Sequence, residues 1–421
     1  MPLILPGNVA SATAAAYSVD NSCMFNGADT YLSRTTSSAT PTLTTKATLS
    51  FWIKTLSPTN QYITYTNGGT SPYFYMQFPD SNGKLVILDY IGGGSSTDIV
   101  GTFVLRDPSA WMHVVYSYDS TPSTPSSSSI KIFINGVQTT ALTGGSAYAA
   151  QNTATKLTAA SVAHPIGVHA NTSAQFLNAY LAEYMVVDGQ ALNADSFGEF
   201  DSDSPTIWKP IDISGITVGN QGYYLDFKDS SNLGNDVGGN DFDFTSNNID
   251  ATNQATDTPT NNFPTLNPLY KNAVVYSEGN LGATISASSF ESGITTFGAS
   301  TSKWYCEFKI TAQASGVTRN SAGVIADTEA DGMADAELGY SANSVGYASG
   351  AVHKNSAQQS AGGWNTYTTN DIISVAMDLD NGFVYFAKNG TWENSGDPTS
   401  GATGTGGVAL DITSGYTYLF G

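Results

Sequence analysis

Trp111-Met112-His113-Val114-Val115-Tyr116-Ser117-Tyr118, followed by Ile130-Lys131-Ile132-Phe133-Ile134 and the dipeptide Asn135-Gly136, is the stretch that decides the fold. Each run is one strand long and rich in β-branched and aromatic residues, the types that fit a pleated, half-buried surface. Asn-Gly adopts two consecutive positive φ values at low cost, which a two-residue hairpin requires. The pattern predicts antiparallel neighbours closed by a tight turn. Working outward, Thr48-Leu49-Ser50-Phe51-Trp52-Ile53-Lys54 alternates over one strand length, and Leu85-Val86-Ile87-Leu88 is a continuous apolar run behind the turn Ser81-Asn82-Gly83. No helical pattern of roughly 10–15 residues separates these runs, so an antiparallel sandwich is expected.

Composition removes other classes. Of 421 residues, 40% are hydrophobic and 11% aromatic, enough to bury real cores, so disorder throughout is excluded. Lys plus Arg number 15 against 35 Asp plus Glu, a net charge of −20 that disfavours binding to a phosphate backbone. The charge is −12 up to residue 270 and −8 beyond it, so the acidity is not a tail or a site but a solubility feature. Only 12% of residues are charged, and the polar surface is built from Ser, Thr, Asn and Gly instead. The two cysteines, Cys23 and Cys306, form no disulfide framework and no metal spacing, and are expected to be free thiols. No run of about 18 apolar residues predicts a membrane span. The start Met-Pro-Leu-Ile-Leu-Pro has no basic n-region, so no secretory leader is expected.

The second half repeats the β pattern. Lys303-Trp304-Tyr305-Cys306-Glu307-Phe308-Lys309-Ile310 alternates. Asn370 to Asp380 runs into Asn381-Gly382, and Phe383 to Lys388 follows and ends in Asn389-Gly390. Residues 1–20 have the look of an arm of small and apolar residues. Residues 206–270, rich in Asn, Asp, Thr and Pro, suggest a connector with one short β-hairpin.

Four motifs in order give the first half a resemblance. Ser50-Phe51-Trp52-Ile53-Lys54, Trp111-Met112-His113-Val114-Val115-Tyr116, Lys131-Ile132-Phe133-Ile134-Asn135-Gly136 and Leu181-Ala182-Glu183-Tyr184-Met185-Val186-Val187-Asp188-Gly189 resemble the strands of laminin-G-like, concanavalin A-like jelly rolls. The hairpin Asp371 to Gly390, with Lys303-Trp304-Tyr305-Cys306-Glu307, resembles the SPRY family. The combined resemblance implies an all-β chain of two antiparallel sandwiches: an arm at 1–20, a laminin-G-like sandwich at 21–205, the connector at 206–270 and a SPRY-like sandwich at 271–421. That family carries a further strand after the segment Gly415 to Phe420 resembles. The second sandwich is therefore expected to close differently, to take a strand from a partner, or to continue in a longer natural product.

No G-x-S-x-G, H-E-x-x-H or P-loop occurs, and His113, His164, His169 and His353 show no ligand spacing. Sandwich glycosidases need two carboxyls on one face. Glu183 and Asp188 are five residues apart, so in a regular strand they face opposite sides. A non-enzyme is expected. Asp226, Asp229, Asn232, Asn235 and Asp236 offer the hard oxygens that Ca²⁺ takes, although Asx turns account for them more simply. Aromatics remain: Tyr62, Tyr65, Tyr73, Phe74 and Tyr75 in the first half, and Trp364, Tyr367 and Trp392 beside loops in the second. Aromatic faces with a few placed polar groups are the logic of a glycan site. Trp364, Tyr367 and Trp392 are the ligand candidates, with core packing as the competing account.

The whole order, including Met-Pro-Leu-Ile-Leu-Pro-Gly and the segment Asn261-Asn262-Phe263-Pro264-Thr265-Leu266-Asn267-Pro268-Leu269, resembles structural proteins of marine tailed bacteriophages. That resemblance implies a virion protein assembled in a bacterial cytoplasm. It would be a tail fibre or appendage, anchored to other virion proteins by its N-terminal arm, trimeric, and receptor-binding towards a host-surface glycan or protein. It implies neither nucleic-acid binding nor membrane insertion. The rival expectations are a purely structural capsid-surface decoration protein and a polysaccharide-degrading virion enzyme.

Overall fold

In the computed structural model, the described residues are 17–421 without 58–59, 67–71, 93–94, 105–106, 144–147, 170–173, 271–273, 286–291, 314–319, 331–337, 360–362 and 414. Most of the arm expected at 1–20 lies outside them. The chain divides into two compact units, with the boundary after Phe263. Both are built almost wholly from antiparallel strands. Among the described residues no helix is long and apolar enough to cross a membrane.

The first unit packs two sheets face to face. The larger orders its strands Val137–Gln138, Lys131–Ile134, Met112–Asp119, Lys46–Thr55, Asn178–Asp188, Ser22–Asn26 and Gln254–Ala255, with Tyr223–Leu225 also paired to Asn178–Asp188. The smaller runs Leu142–Thr143, Ser95–Gly101, Val86–Gly92, Tyr73–Gln77 and Tyr62–Tyr65. Phe51, Ile53, Phe74, Met76, Ile87, Val114, Tyr116 and Leu181 meet between the sheets. The predicted hairpin is present: Val137 pairs with Ile134 across Asn135 (φ 47°) and Gly136 (φ 79°).

The long strand Asn178–Asp188 carries a bulge. Its register with Lys46–Thr55 shifts between Ala182 and Met185, and Glu183 there has φ 50°. The extra residue lets Leu181 and Tyr184 both face the core.

The structure corrects the connector expected at 206–270. Residues 206–263 belong to the first unit and 264–270 to the second. Tyr223–Leu225 adds to the large sheet, Thr245–Asn247 pairs with Tyr31–Ser33, and Gln254–Ala255 pairs with Ser22–Asn26. The Arg34 guanidinium lies 4.2 Å from the Phe242 ring centre, a cation–π contact that fixes the segment. The physical reason is a second buried face. Val115, Phe133, Met185, Val187, Phe197, Ile213, Val218 and Tyr224 form a core on the outer side of the large sheet. Val19, Trp52, Leu56, Trp111 and Tyr180 form another. The large sheet is thus covered on both sides, and Lys46–Thr55 is buried along nearly its whole length. Its polar residues need internal partners. Thr48 Oγ1 donates to Gln190 O, Ser50 Oγ bonds His113 Nε2, and Lys54 Nζ pairs with Asp257.

The second unit has a six-stranded sheet, ordered Gly298–Ala299, Tyr418–Phe420, Ser321–Ala326, Ser344–Ala348, Ala351–Lys354 and Ala357–Gln359. Facing it is a five-stranded sheet with Lys303–Lys309, Ile372–Asp378, Phe383–Lys388 and Thr391–Trp392 in order, and Val408–Ala409 paired to Phe383–Lys388. Both expected Asn-Gly turns are hairpin loops, joining Asp378 to Phe383 and Lys388 to Thr391. Tyr418–Phe420 is an inner strand of its sheet. Tyr418–Phe420 is hydrogen-bonded on both sides, by Gly298–Ala299 and by Ser321–Ala326. Cys23 and Cys306 are free thiols, one in each unit.

Candidate functional site

The outer face of the small sheet gathers the tyrosines. Along Tyr73–Gln77 the side chains alternate: Phe74 and Met76 enter the core, while Tyr73, Tyr75 and Gln77 point away. Phe74 is therefore separated from the aromatic set named with it. Register continues the outer rows across the sheet, with Tyr73 beside Tyr90 and Tyr75 beside Leu88. The Tyr65, Tyr73 and Tyr75 rings lie within 10–19° of parallel, with centres 5.6–6.1 Å apart. Tyr90 adds a ring 5.3 Å from Tyr73. Tyr62 and Tyr65 are buried beneath His169, whose ring centre is 4.6 and 4.5 Å from theirs, while Tyr73, Tyr75 and Tyr90 stay half-buried. Burial pushes the Tyr62 phenol up to about 12 and raises the Tyr75 phenol as well, so both are neutral donors. Of the two carboxylates in these strands, Asp89 faces the core and Asp98 the outside. Tyr90 and His169 join the four tyrosines only through pairing across strands distant in sequence. The period-2 alternation already separated Phe74 from its neighbours.

The candidates of the second unit are not brought together as a platform. Tyr367 is a core residue, 3% exposed, whose hydroxyl donates to Tyr347 O at 2.9 Å. It is withdrawn as a ligand residue because its ring is enclosed by the sandwich. Trp364 is half-buried against Tyr347 and Phe386, with ring centres 5.9 and 6.2 Å away. Trp392 is half-buried on the outer face of the five-stranded sheet, 6.4 Å from the exposed Tyr305 ring.

The Asp226, Asp229, Asn232 and Asp236 oxygens considered for Ca²⁺ are engaged in turns. Asp236 Oδ1 accepts from Tyr224 N and Gly238 N, and its Oδ2 from Phe242 N. Asp229 Oδ1 accepts from Ser231, and Asp226 Oδ1 from Lys228 N. Among the described residues no group of three or more His, Cys, Asp or Glu side chains is placed to hold a metal ion. Glu183 and Asp188 each have their own partners. Tyr17 and Tyr224 hydroxyls donate to Glu183 Oε2, whereas Asp188 Oδ2 accepts from Thr42 N and Gln221 N.

The first unit is thus a laminin-G-like jelly roll with an aromatic outer face. Residues 26–196 match the family model described as the concanavalin A-like lectin/glucanases superfamily. A comparison with curated proteins gave no match. Among solved structures, the chain is similar to a native heptameric SAP-like pentraxin from Limulus polyphemus, at 16% identity and a TM-score of 0.30, over 42% of this chain and 80% of that one. It is similar to a Bacteroides ovatus protein described as carbohydrate-binding, at 15% identity and 0.36, over 55% and 59%. It is also similar to the SPRY domain of human HERC1, at 18% identity and 0.24, over 30% and 70%. Similarities this low carry no argument about ligands.

Proposed function

We propose that this chain is a glycan-binding structural protein of a tailed-bacteriophage virion, a tail fibre or appendage that meets the host surface. The observation that carries the binding part is the outer face of the small sheet. Tyr73, Tyr75 and Tyr90 there offer half-exposed rings and hydroxyls with Asp98 as the single outward charge in those strands. Apolar faces take the C–H sides of sugar rings, and phenol hydroxyls bond their oxygens. Neighbouring strands lie about 4.8 Å apart, so a saccharide chain crossing them meets a ring on successive strands. The virion part rests on the sequence resemblance and on the uncharged, acidic-leaning surface. Anchoring by the N-terminal segment and a trimeric state belong to the same reading.

The test is binding of the purified chain to host-surface polysaccharide by isothermal titration calorimetry. Tyr73→Ala combined with Tyr75→Ala is expected to weaken binding at least about tenfold, roughly 1.4 kcal/mol, at a temperature where circular dichroism shows the variant still folded. Unchanged affinity in that double variant refutes the site. No label at the tail or its fibres in immuno-gold images of particles refutes the placement.

A further inference from the structure

A cavity of about 490 Å³ opens in the first unit where the hairpin Lys131–Gln138 meets the ribbon of Gly198–Phe200 and Trp208–Pro210. Its aromatic wall is held rigid. Trp208 Nε1 donates to His113 Nδ1 at 3.0 Å. An indole N–H can only donate, so Nδ1 is the acceptor and the imidazole proton sits on Nε2. That Nε2–H then donates to Ser50 Oγ at 2.9 Å. The His113 ring stacks on Trp52, with centres 4.7 Å apart, and meets Trp208 nearly coplanar through that hydrogen bond, with centres 6.0 Å apart. Two glycines leave room for the indole: a Cβ on Gly136 or Gly198 would come within 2.2 or 2.6 Å of its ring. The Phe200 ring stands 5.0 Å from Trp208 at 69°, making a corner, and Phe200 is 43% exposed.

The polar lining is mixed. Lys131 Nζ bonds Asn193 Oδ1 at 3.0 Å and keeps two further protons. Glu199 is paired with Lys209. Asp195 lines the cavity, is exposed, and makes no hydrogen bond or ion pair among the described residues. The Lys131 ammonium opposes a cationic ligand, and the Asp195 and Glu199 carboxylates oppose an anionic one. A neutral polyol finds both acceptors and a donor beside an apolar wall.

We propose that this cavity binds one neutral pyranose unit at the end of a glycan, its C–H face on Trp208 and two adjacent hydroxyls on the Asp195 carboxylate. The site is separate from the tyrosine face, and the proposal rests on the glycan-binding reading above. It makes each chain bivalent, so that two weak contacts on one surface glycan layer reinforce one another.

The experiment titrates the full chain with methyl glycosides of glucose, mannose, galactose and N-acetylglucosamine, and with choline chloride. At least one glycoside is expected to bind with a millimolar Kd. Asp195→Asn and Phe200→Ala, both exposed positions, should each weaken it several-fold with unchanged melting. Tyr73→Ala with Tyr75→Ala should leave it intact. No heat from any glycoside overturns the proposal, as does binding that Asp195→Asn and Phe200→Ala leave unchanged, or heat from choline alone. Polysaccharide binding that fails in the wild-type chain while a glycoside still binds sinks the tyrosine-face reading and keeps this one.

Discussion

Lys54→Ala is expected to remove about 3–5 kcal/mol from the stability of the first sandwich, the usual loss when one partner of a buried ion pair is deleted. Lys54 is fully buried. Its Nζ donates to Asp257 Oδ2 at 2.7 Å, Asn262 Oδ1 at 2.8 Å and Phe263 O at 2.5 Å, which uses all three ammonium protons. Asp257 Oδ1 meanwhile accepts from Trp111 Nε1 at 2.8 Å. Burial pulls the Lys54 amine below its usual range, and Asp257 opposes that pull. Without the ammonium the carboxylate stays buried and lacks its counter-charge. The residues that close the unit, 257–263, then lose their fixing point. Urea unfolding followed by tryptophan fluorescence measures this in the first unit's transition. Lys54→Met with Asp257→Asn keeps an acceptor for Trp111 and is expected to recover most of the loss. A single-variant loss below about 1 kcal/mol, the level of an exposed pair, would show that the pair is not the clasp described.

The second large effect is acid sensitivity of the same unit. Burial holds His113 and His164 down to about 3, with Arg34 adding to the effect at His164. Unfolded histidine titrates near 6.5. Between those values the unfolded chain binds protons that the native chain does not. The histidine contribution is therefore complete above pH 6.5 and is lost as pH falls towards 3. Burial raises Glu183 to about 7 and Asp89 to about 6. For these the sign is opposite: their contribution is complete below the unfolded carboxylate range and is lost as pH rises through 6 to 7. The two pairs largely offset each other from pH 5 to 6. Below about pH 4 the Glu183 and Asp89 carboxyls are protonated in both states, and the histidines add to the loss from Asp201, Asp212, Asp229 and Asp250, which hydrogen bonds hold below the usual carboxylate range. The histidine part of that fall is about 2.7 kcal/mol per pH unit while both rings stay neutral in the native chain, two protons at about 1.36 each. Melting temperatures across pH 3–7 read this out, and His164→Gln should make the acid slope shallower by about 1.36 kcal/mol per pH unit. A profile flat below pH 4 would contradict the burial of both rings.

The strands and turns were legible because their signals are local. Asn135-Gly136 and the period-2 runs are written within a few residues, and the order of motifs around Trp111 and Lys131 carried the first sandwich. The segment 206–263 was not legible. Its composition is that of a linker, and its role depends on apolar residues such as Ile213, Val218 and Tyr224 meeting Val115 and Met185 from strands far away in sequence. The polar residues of Lys46–Thr55 gave the same misleading signal, since Thr48, Ser50 and Lys54 look like a solvated face until their partners are known. Tyr367 illustrates the opposite case. It stands beside loops in the sequence, yet its side chain turns inward to Tyr347. The tyrosine face was half legible: four of its rings were named from the sequence, but Tyr90 and His169 join only through the paired strands.

The pairing of Ser22–Asn26 with Gln254–Ala255 also sets a timetable. At about 5–20 residues per second, synthesis takes roughly 10–50 s to travel from one strand to the other. Throughout that interval the early strand lacks this neighbour, and until residues 194–224 emerge the apolar outer side of the large sheet has nothing over it. A nascent chain in this condition is exposed to other chains on the same messenger. The sparse, mostly negative charge and the Ser, Thr and Asn along its edges then serve a chain still emerging from the ribosome as much as the finished protein.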